Sequence, residues 1–373
     1  MNFNKVVGQQ KIIAQLQQFV VKDRVPHAMM LETKEGRGGL LLAIALANLL
    51  QCTDVRDGDS CGKCADCQKT FQLIHPDIHF SYPVIKADGK RRDESFSNDF
   101  LNPWRSIVLE NPYFSYQAWL EKIGAEKTAA NINVKECNEI IKKLSLRAYS
   151  GKKKVLIMWL PEFLGKEGNR LLKLIEEPTD DTVIIFVTHQ SSKILNTIHS
   201  RCQILRLPII ADESMSSYLT DSFGLDGPDL ANVIQLSEGN LVTAIEMANG
   251  FDSNLSEEVI SWLLRNYEFK IEELANWIDN FARESKEYQK QFFRFTNYIS
   301  RSLLKRQLLG KNTAEAIESR GINFEKLAKI LTLDKVESLT QITDKSIDEI
   351  DRNISVKIMM MAASLKVSKL LRE

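Results

Sequence analysis

The segment Leu31 to Ala43, LETKEGRGGLLLA, does most to narrow what this chain can fold into. A short apolar run, HAMMLE, leads into a glycine turn, and Leu40 to Leu50 (LLLAIALANLL) is apolar nearly all round, as a buried helix must be. Strand, glycine turn and buried helix open an α/β nucleotide-binding fold. The turn has the frame of a phosphate-binding loop, G-x-x-x-x-G-K-[ST], whose lysine meets the β- and γ-phosphates and whose hydroxyl holds Mg2+. With Gly38 on the last glycine, Thr33 falls on the first glycine, Gly39 on the lysine and Leu40 on the Ser/Thr, and Gly36 lies within the turn. The expectation is a loop that keeps its shape without its chemistry, so ATP is not expected as a cofactor.

Flanking segments extend the pattern. Residues 9 to 22 place Ile12, Ile13, Leu16, Phe19 and Val20 on one helical stripe, and NINVKECNEIIKKLSLRAY resumes that spacing. KKKVLIMWL and TVIIFVTHQ are continuous apolar strands, and EGNRLLKLIEEP is a helix stopped by Pro178. Buried strands alternating with helices predict a parallel sheet covered on both faces. From about 80 to 130, polar KADGKRRDESFSND and scattered aromatics (Trp104, Tyr113, Phe114, Tyr116, Trp119) predict a flexible loop followed by short helices. Beyond residue 211 no strand pattern is found. The predicted division is an α/β domain over 1–208, a helical lid over 209–252 and an all-α collar over 253–373.

Four of six cysteines fall at Cys52, Cys61, Cys64 and Cys67. The spacing C-x8-C-x2-C-x2-C suits the short bite of a tetrahedral Zn2+ site, and four soft ligands leave no position for a reactive water, so the zinc would be structural. Free reduced thiols are the alternative. His75 and His79 are second-choice ligands, in a segment read as a loop entering a strand, and Cys137 and Cys202 read as isolated small apolar residues. Lys plus Arg and Asp plus Glu are both 49, so no global charge favours nucleic acid and any contact would be a local patch. There is no apolar run of membrane-spanning length and no signal-peptide core in MNFNKVVGQQ, which predicts a cytoplasmic protein.

Residues Val155 to Cys202 add specific motifs. Asn169 to Pro178 reads N-x-L-L-K-x-x-E-E-P, followed by Ser200-Arg201-Cys202, with GQQ at 8 to 10, HAMML and the four-cysteine module upstream. Together these resemble the clamp-loader branch of the AAA+ family over most of residues 1 to 208. The resemblance implies an α/β AAA+ domain with a zinc module inserted at 52–67, then a lid and an oligomerising collar. Motor subunits of that branch carry an Asp-Glu pair at the end of the strand that here reads Val155 to Met158, where this chain has Trp159 and Leu160. Glu162 lies too far along to inherit that geometry. The lid arginine of the motors aligns with Val242.

By the same resemblance, Arg201 is an arginine finger offered in trans to a nucleotide bound by a neighbouring ATPase subunit, with Ser200 orienting it and Cys202 packing beneath. Its plain alternative is a surface arginine paired with a carboxylate. The implied partners are ATPase subunits of the gamma/tau kind and a delta subunit, with the sliding clamp and primed DNA met indirectly. The chain would belong to a DNA polymerase III holoenzyme without an active site of its own. One rival is a divergent gamma/tau-like motor using Lys34 or Arg37 in place of the missing lysine; another is a zinc-dependent DNA-binding module. Lys152, Lys153 and Lys154 read as a solvated turn before DNA contact, and Arg301, Lys305 and Arg306 as the wet face of a collar helix.

Overall fold

The computed structural model describes residues 1–125, 128–149, 152–250, 254–309, 330–352 and 354–372. Two compact units emerge, Met1–Met215 with Gly239–Thr243, and Ser216–Glu238 with Ala244–Glu373.

The first unit is built on five parallel strands in the order β2-β3-β4-β1-β5. They are β1 Ala28–Glu32, β2 Ile78–Ser81, β3 Lys154–Trp159, β4 Thr182–Thr188 and β5 Gln203–Arg206. Every residue of β3 and β4 is buried, which is why both read as unbroken apolar runs. Edge strand β5 buries only Leu205, so its sequence carries no comparable signal. Register sets Leu31 and Trp159 on either side of Val187, which brings the carboxyl ends of β1, β4 and β3 to one level. Such a rim is where an open parallel sheet binds ligands.

Around the sheet lie α1 Gln10–Val21, α2 Gly39–Gln51, α3 Ala65–Phe71, α4 Leu101–Glu110, α5 Tyr116–Lys122, α6 Val134–Ser145, α7 Leu172–Glu176 and α8 Asn196–His199. Helix α2 is buried almost throughout, as its composition requires. Instead of one helix over 167 to 178, a 3-10 stretch runs Pro161–Leu171, interrupted at Gly165, before the short α7. The expected short helices are α4 and α5, which bury Trp104 and Trp119 fully, but the stretch before them expected to be a flexible loop carries two 3-10 turns. Trp104 stacks on Tyr82 with ring centroids 4.0 Å apart and meets Trp119 edge-on at 5.4 Å. Burial of this aromatic surface, worth roughly 1.5–3 kcal/mol per large side chain, is what orders the segment.

Helix α9 Asp212–Phe223 starts in the first unit and ends in the second, as does α11 Leu241–Gly250. The second unit adds α10 Gly227–Ser237, α12 Asn254–Glu268, α13 Ile271–Phe281, α14 Lys286–Leu309, α15 Leu333–Asp351 and α16 Val356–Arg372. Among its described residues there is no strand, as expected. Trp262, Phe281, Phe292 and Phe293 form its buried centre, and the Trp262 indole N–H donates to Ser364 Oγ at 2.9 Å. The side chains of Arg301, Lys305 and Arg306 lie outside the described residues. The first unit is thus an α/β domain on a parallel sheet, and the elements among the described residues that follow it are all helices.

Candidate functional site

The glycine turn joins β1 to α2 at the sheet rim, where a phosphate loop belongs. Gly38 takes a left-handed conformation (φ +81°), which starts α2 without a Cβ penalty. Gly39, at the lysine position, has no room for a side chain: a Cβ there would lie 2.8 Å from Thr33 Cγ2 and 3.0 Å from Val187 Cγ1. The threonine standing on the first glycine of the frame therefore fills the space that the lysine's Cβ would need.

The space above the turn is also filled. A pocket of only about 20 Å³ remains, room for one water, lined in part by Leu40, Tyr113, Phe114, Trp159, His189 and Val242. Tyr113 and Phe114 come from the aromatic segment after α4. The Tyr113 ring presses on Gly38, where a Cβ would lie 3.2 Å away, and its hydroxyl oxygen accepts the Val7 N–H at 2.8 Å. Glu35, inside the turn, accepts the Tyr116 N–H at 3.0 Å and ties the segment to the loop. Tyr113 and Phe114 were not picked out as functional from sequence; the available signal was five aromatics within Trp104 to Trp119, a density that surface loops rarely carry.

The acidic positions are equally altered. Trp159 ends β3, 5.2 Å from the Phe114 ring and 6.4 Å, edge-on, from His189. Glu162 turns to the end of β4, accepting Thr188 Oγ1 at 2.9 Å and the His189 N–H at 3.1 Å. Burial holds the Glu162 carboxyl above its ordinary range, and burial pulls His189 down to about 4. Val242 is buried against the pocket. Arg37 donates to the Leu207 carbonyl at 3.2 Å and so is committed away from the turn, while Lys34 lines the pocket.

Cys52, Cys61, Cys64 and Cys67 come together with all four sulfurs within 4.8 Å of one another, Cys61 and Cys67 being 3.9 Å apart. Thiolates around one tetrahedral Zn2+ at about 2.3 Å would sit roughly 3.8 Å apart, so the set fits a metal ion. Backbone N–H groups of Lys63 and Cys64 donate to Cys61 Sγ and hold that thiol below its ordinary range. Burial works against ionisation of Cys64, but hydrogen bonds from Thr53 and Cys67 bring it down to about 6. Burial raises Cys52 and Cys67. A cation bound here would deprotonate all four. His75 and His79 are not brought in: His75 Nδ1 accepts the Asp77 N–H and its Nε2 faces Asp66 at 3.4 Å, and burial lowers His79 to about 4.

Lys152 and Lys153, before β3, and Lys154, its first residue, are not a solvated turn. Lys152 donates to the Gln51 and Cys52 carbonyls, closing the end of α2 at the cysteine module. Lys153 pairs with Asp181 at 2.8 Å, and buried Lys154 donates to Leu144 and Leu146 carbonyls and Thr179 Oγ1. Orphan carbonyls at helix ends need such donors, which binds these cations to the fold.

Arg201 follows α8 on the surface. Its guanidinium meets Glu176 at 2.5 Å, donates to the Thr197 carbonyl at 2.9 Å and lies 3.5 Å from Ser200 Oγ. In the single chain it is therefore paired with a carboxylate, as a purely structural arginine also would be. Cys202 packs against the core cluster that includes Ile198, and burial pushes its thiol up to about 12. Arg201 and the cysteine cluster occupy separate places, and no described contact joins either to the glycine turn.

The family described as DNA polymerase III, delta subunit, matches residues 8–211. DNA polymerase III subunit delta' of Bacillus subtilis (strain 168) is 24% identical over 240 residues, 64% of this chain and 59% of that protein. Subunit delta' of Escherichia coli (strain K12) is 23% identical over 227 residues, 60% of this chain and 55% of that one. The chain thus spans less than two thirds of the length of these relatives. A gamma subunit-related protein of DNA polymerase III from Thermotoga maritima has a TM-score of 0.40 at 16% identity, over 96% of this chain and 99% of that one. The family match runs over more than half of the sequence, and the chain belongs to the DNA polymerase III delta-subunit family, in its delta-prime branch.

Proposed function

We propose that this chain is a non-motor subunit of a DNA polymerase III clamp loader, which assists ATP hydrolysis in a neighbour without binding nucleotide itself. The observation that carries this is the filled glycine turn: Tyr113, Phe114 and Trp159 leave about 20 Å³ where a triphosphate would need to lie. Arg201, by contrast, stays on the surface, with a planar fork of donors suited to phosphate. Residues 1–208 act as the AAA+ scaffold, 209–252 as a lid, and 253–373 as the collar that holds the chain among gamma/tau-type ATPase and delta subunits in the cytoplasm. The sliding clamp and primed DNA are met through the assembly. Cys52, Cys61, Cys64 and Cys67 hold a structural Zn2+ that braces the start of the domain. The charge supplied by Arg201 would stabilise the γ-phosphoryl group during transfer, an effect worth about 10³ to 10⁵ in rate where fingers have been removed.

Two measurements test this together. Titration of the isolated chain with Mg-ATP is expected to give no binding, and micromolar affinity with turnover would establish the divergent motor instead. In the reconstituted loader, Arg201→Ala is expected to leave assembly intact and to lower clamp- and DNA-stimulated ATPase at least about tenfold. Unchanged ATPase would refute the finger.

A further inference from the structure

We infer that Glu176 is a positioning residue for Arg201, holding the guanidinium plane so that its remaining donors face outward. This inference rests on the arginine-finger reading of Arg201 and adds a second residue to it.

The platform under the pair is rigid. Ile175, beside Glu176, and Ile198, three residues before Arg201, are both fully buried in one core cluster with Leu171 and Leu164. Helix α8 approaches the preceding 3-10 stretch so closely that a Cβ on Gly168 would lie 2.9 Å from Ile198 Cδ1. Pro178 ends α7, and the residue after it is anchored by Lys154 Nζ to Thr179 Oγ1 at 2.7 Å. Both backbone origins are therefore fixed before either side chain is considered.

The two side chains then meet in a constrained way. One guanidinium nitrogen of Arg201 lies 2.5 Å from Glu176 Oε1, and the other terminal nitrogen donates to the Thr197 carbonyl at 2.9 Å. Two contacts on different nitrogens fix the orientation of a planar group, whereas one would leave it free to swing. An arginine has five N–H donors, so donors remain for a phosphate after both contacts are made. Both side chains are about two fifths exposed, so the pair adds little to folding and remains reachable by a neighbouring subunit. A long side chain loses much rotamer freedom when it docks on a phosphate, and holding it beforehand removes part of that cost.

The test is steady-state ATPase of the reconstituted clamp loader, with size-exclusion assembly and thermal midpoint as controls. Four variants are compared: Glu176→Ala, Glu176→Gln, Arg201→Ala and the double variant Glu176→Ala/Arg201→Ala. Glu176→Ala is expected to lower kcat about three- to tenfold with KM for ATP and assembly unchanged. Glu176→Gln keeps an oxygen acceptor and is expected to recover part of that loss. The double variant is expected to match Arg201→Ala, since Glu176 acts only through the arginine. If Arg201→Ala lowers ATPase but Glu176→Ala leaves it unchanged or raises it, Glu176 does not position the finger and the inference falls alone. An additive double variant overturns it too. If Arg201→Ala is itself silent, the finger reading fails and takes this one with it.

Discussion

Putting lysine at position 39 completes one element of the phosphate-loop pattern on paper, yet is expected to damage the domain without conferring nucleotide binding. The added Cβ of Gly39→Lys would sit 2.8 Å from Thr33 Cγ2 and 3.0 Å from Val187 Cγ1, against an ordinary carbon contact of about 3.5–4.0 Å. Overpacking of this kind costs about 1–3 kcal/mol, offset by up to about 1 kcal/mol from replacing a helical glycine. The ammonium would also have to enter a pocket of about 20 Å³ faced by Tyr113 and Phe114. Urea denaturation should show a lower midpoint at unchanged m, and calorimetric titration with Mg-ATP should stay flat. Thr33→Gly removes the nearer clash, so Thr33→Gly/Gly39→Lys should be less destabilised than the two single changes summed, by about 0.5–1 kcal/mol. A Gly39→Lys protein with an unshifted midpoint and micromolar Mg-ATP affinity would refute the steric reasoning outright.

Other perturbations reach different parts of the same domain. Tyr113→Phe leaves the ring but takes the acceptor from the Val7 N–H, and should cost about 1–3 kcal/mol in a denaturant titration; a loss below 0.5 kcal/mol would mean the N–H is otherwise satisfied. Chelation, or Cys64→Ser, should lower the thermal midpoint of the first unit and release one equivalent of Zn2+ from purified protein, read by atomic absorption; metal-free protein of undiminished stability would count against the zinc module. His79 and His189 titrate near 4 when folded and near 6.5 when unfolded, so the unfolded chain binds more protons between those values and stability falls as pH drops from about 6.5 to 4. At pH 5 each contributes a loss of up to about 2 kcal/mol. Glu136 and Glu162, raised by burial, work in the opposite sense, with stability present at low pH and lost as pH rises through their folded values. The clean readout is therefore a difference: His189→Asn should flatten the decline from pH 7 to 5 relative to the parent chain, and parallel curves would contradict the shift.

Periodicity exposed the parts of this molecule whose burial is complete. Strands β3 and β4, with every residue inside, and α2, apolar on all sides, were evident because total burial leaves an unbroken apolar run. Strand β5 went unseen because an edge strand of four residues with one buried side chain has no such run. The cysteine spacing forecast the cluster, since two C-x2-C steps restrict where four sulfurs can go, and the structure brings those sulfurs within one ion's reach. The lysines at 152 to 154 were misjudged as solvated because their partners, the carbonyls ending α2 for Lys152, Asp181 for Lys153, and the carbonyls ending α6 with Thr179 for Lys154, are brought together only by the fold.

The missing lysine, hydroxyl, acidic pair and lid arginine are plain from residues 33 to 40, 159, 160 and 242, because chemistry that depends on a residue type is absent wherever that type is absent. What took their place required the folded molecule. Thr33 fills the site of a Cβ at Gly39, and Tyr113, more than seventy residues from the turn, closes the pocket above it. Likewise Arg201 stands out in a tripeptide, whereas its pairing with Glu176 depends on α7 and α8 packing through Ile175 and Ile198. Side-chain identity is local and can be read one residue at a time; occupied volume and the aim of a charged group are set by neighbours that only the fold assembles.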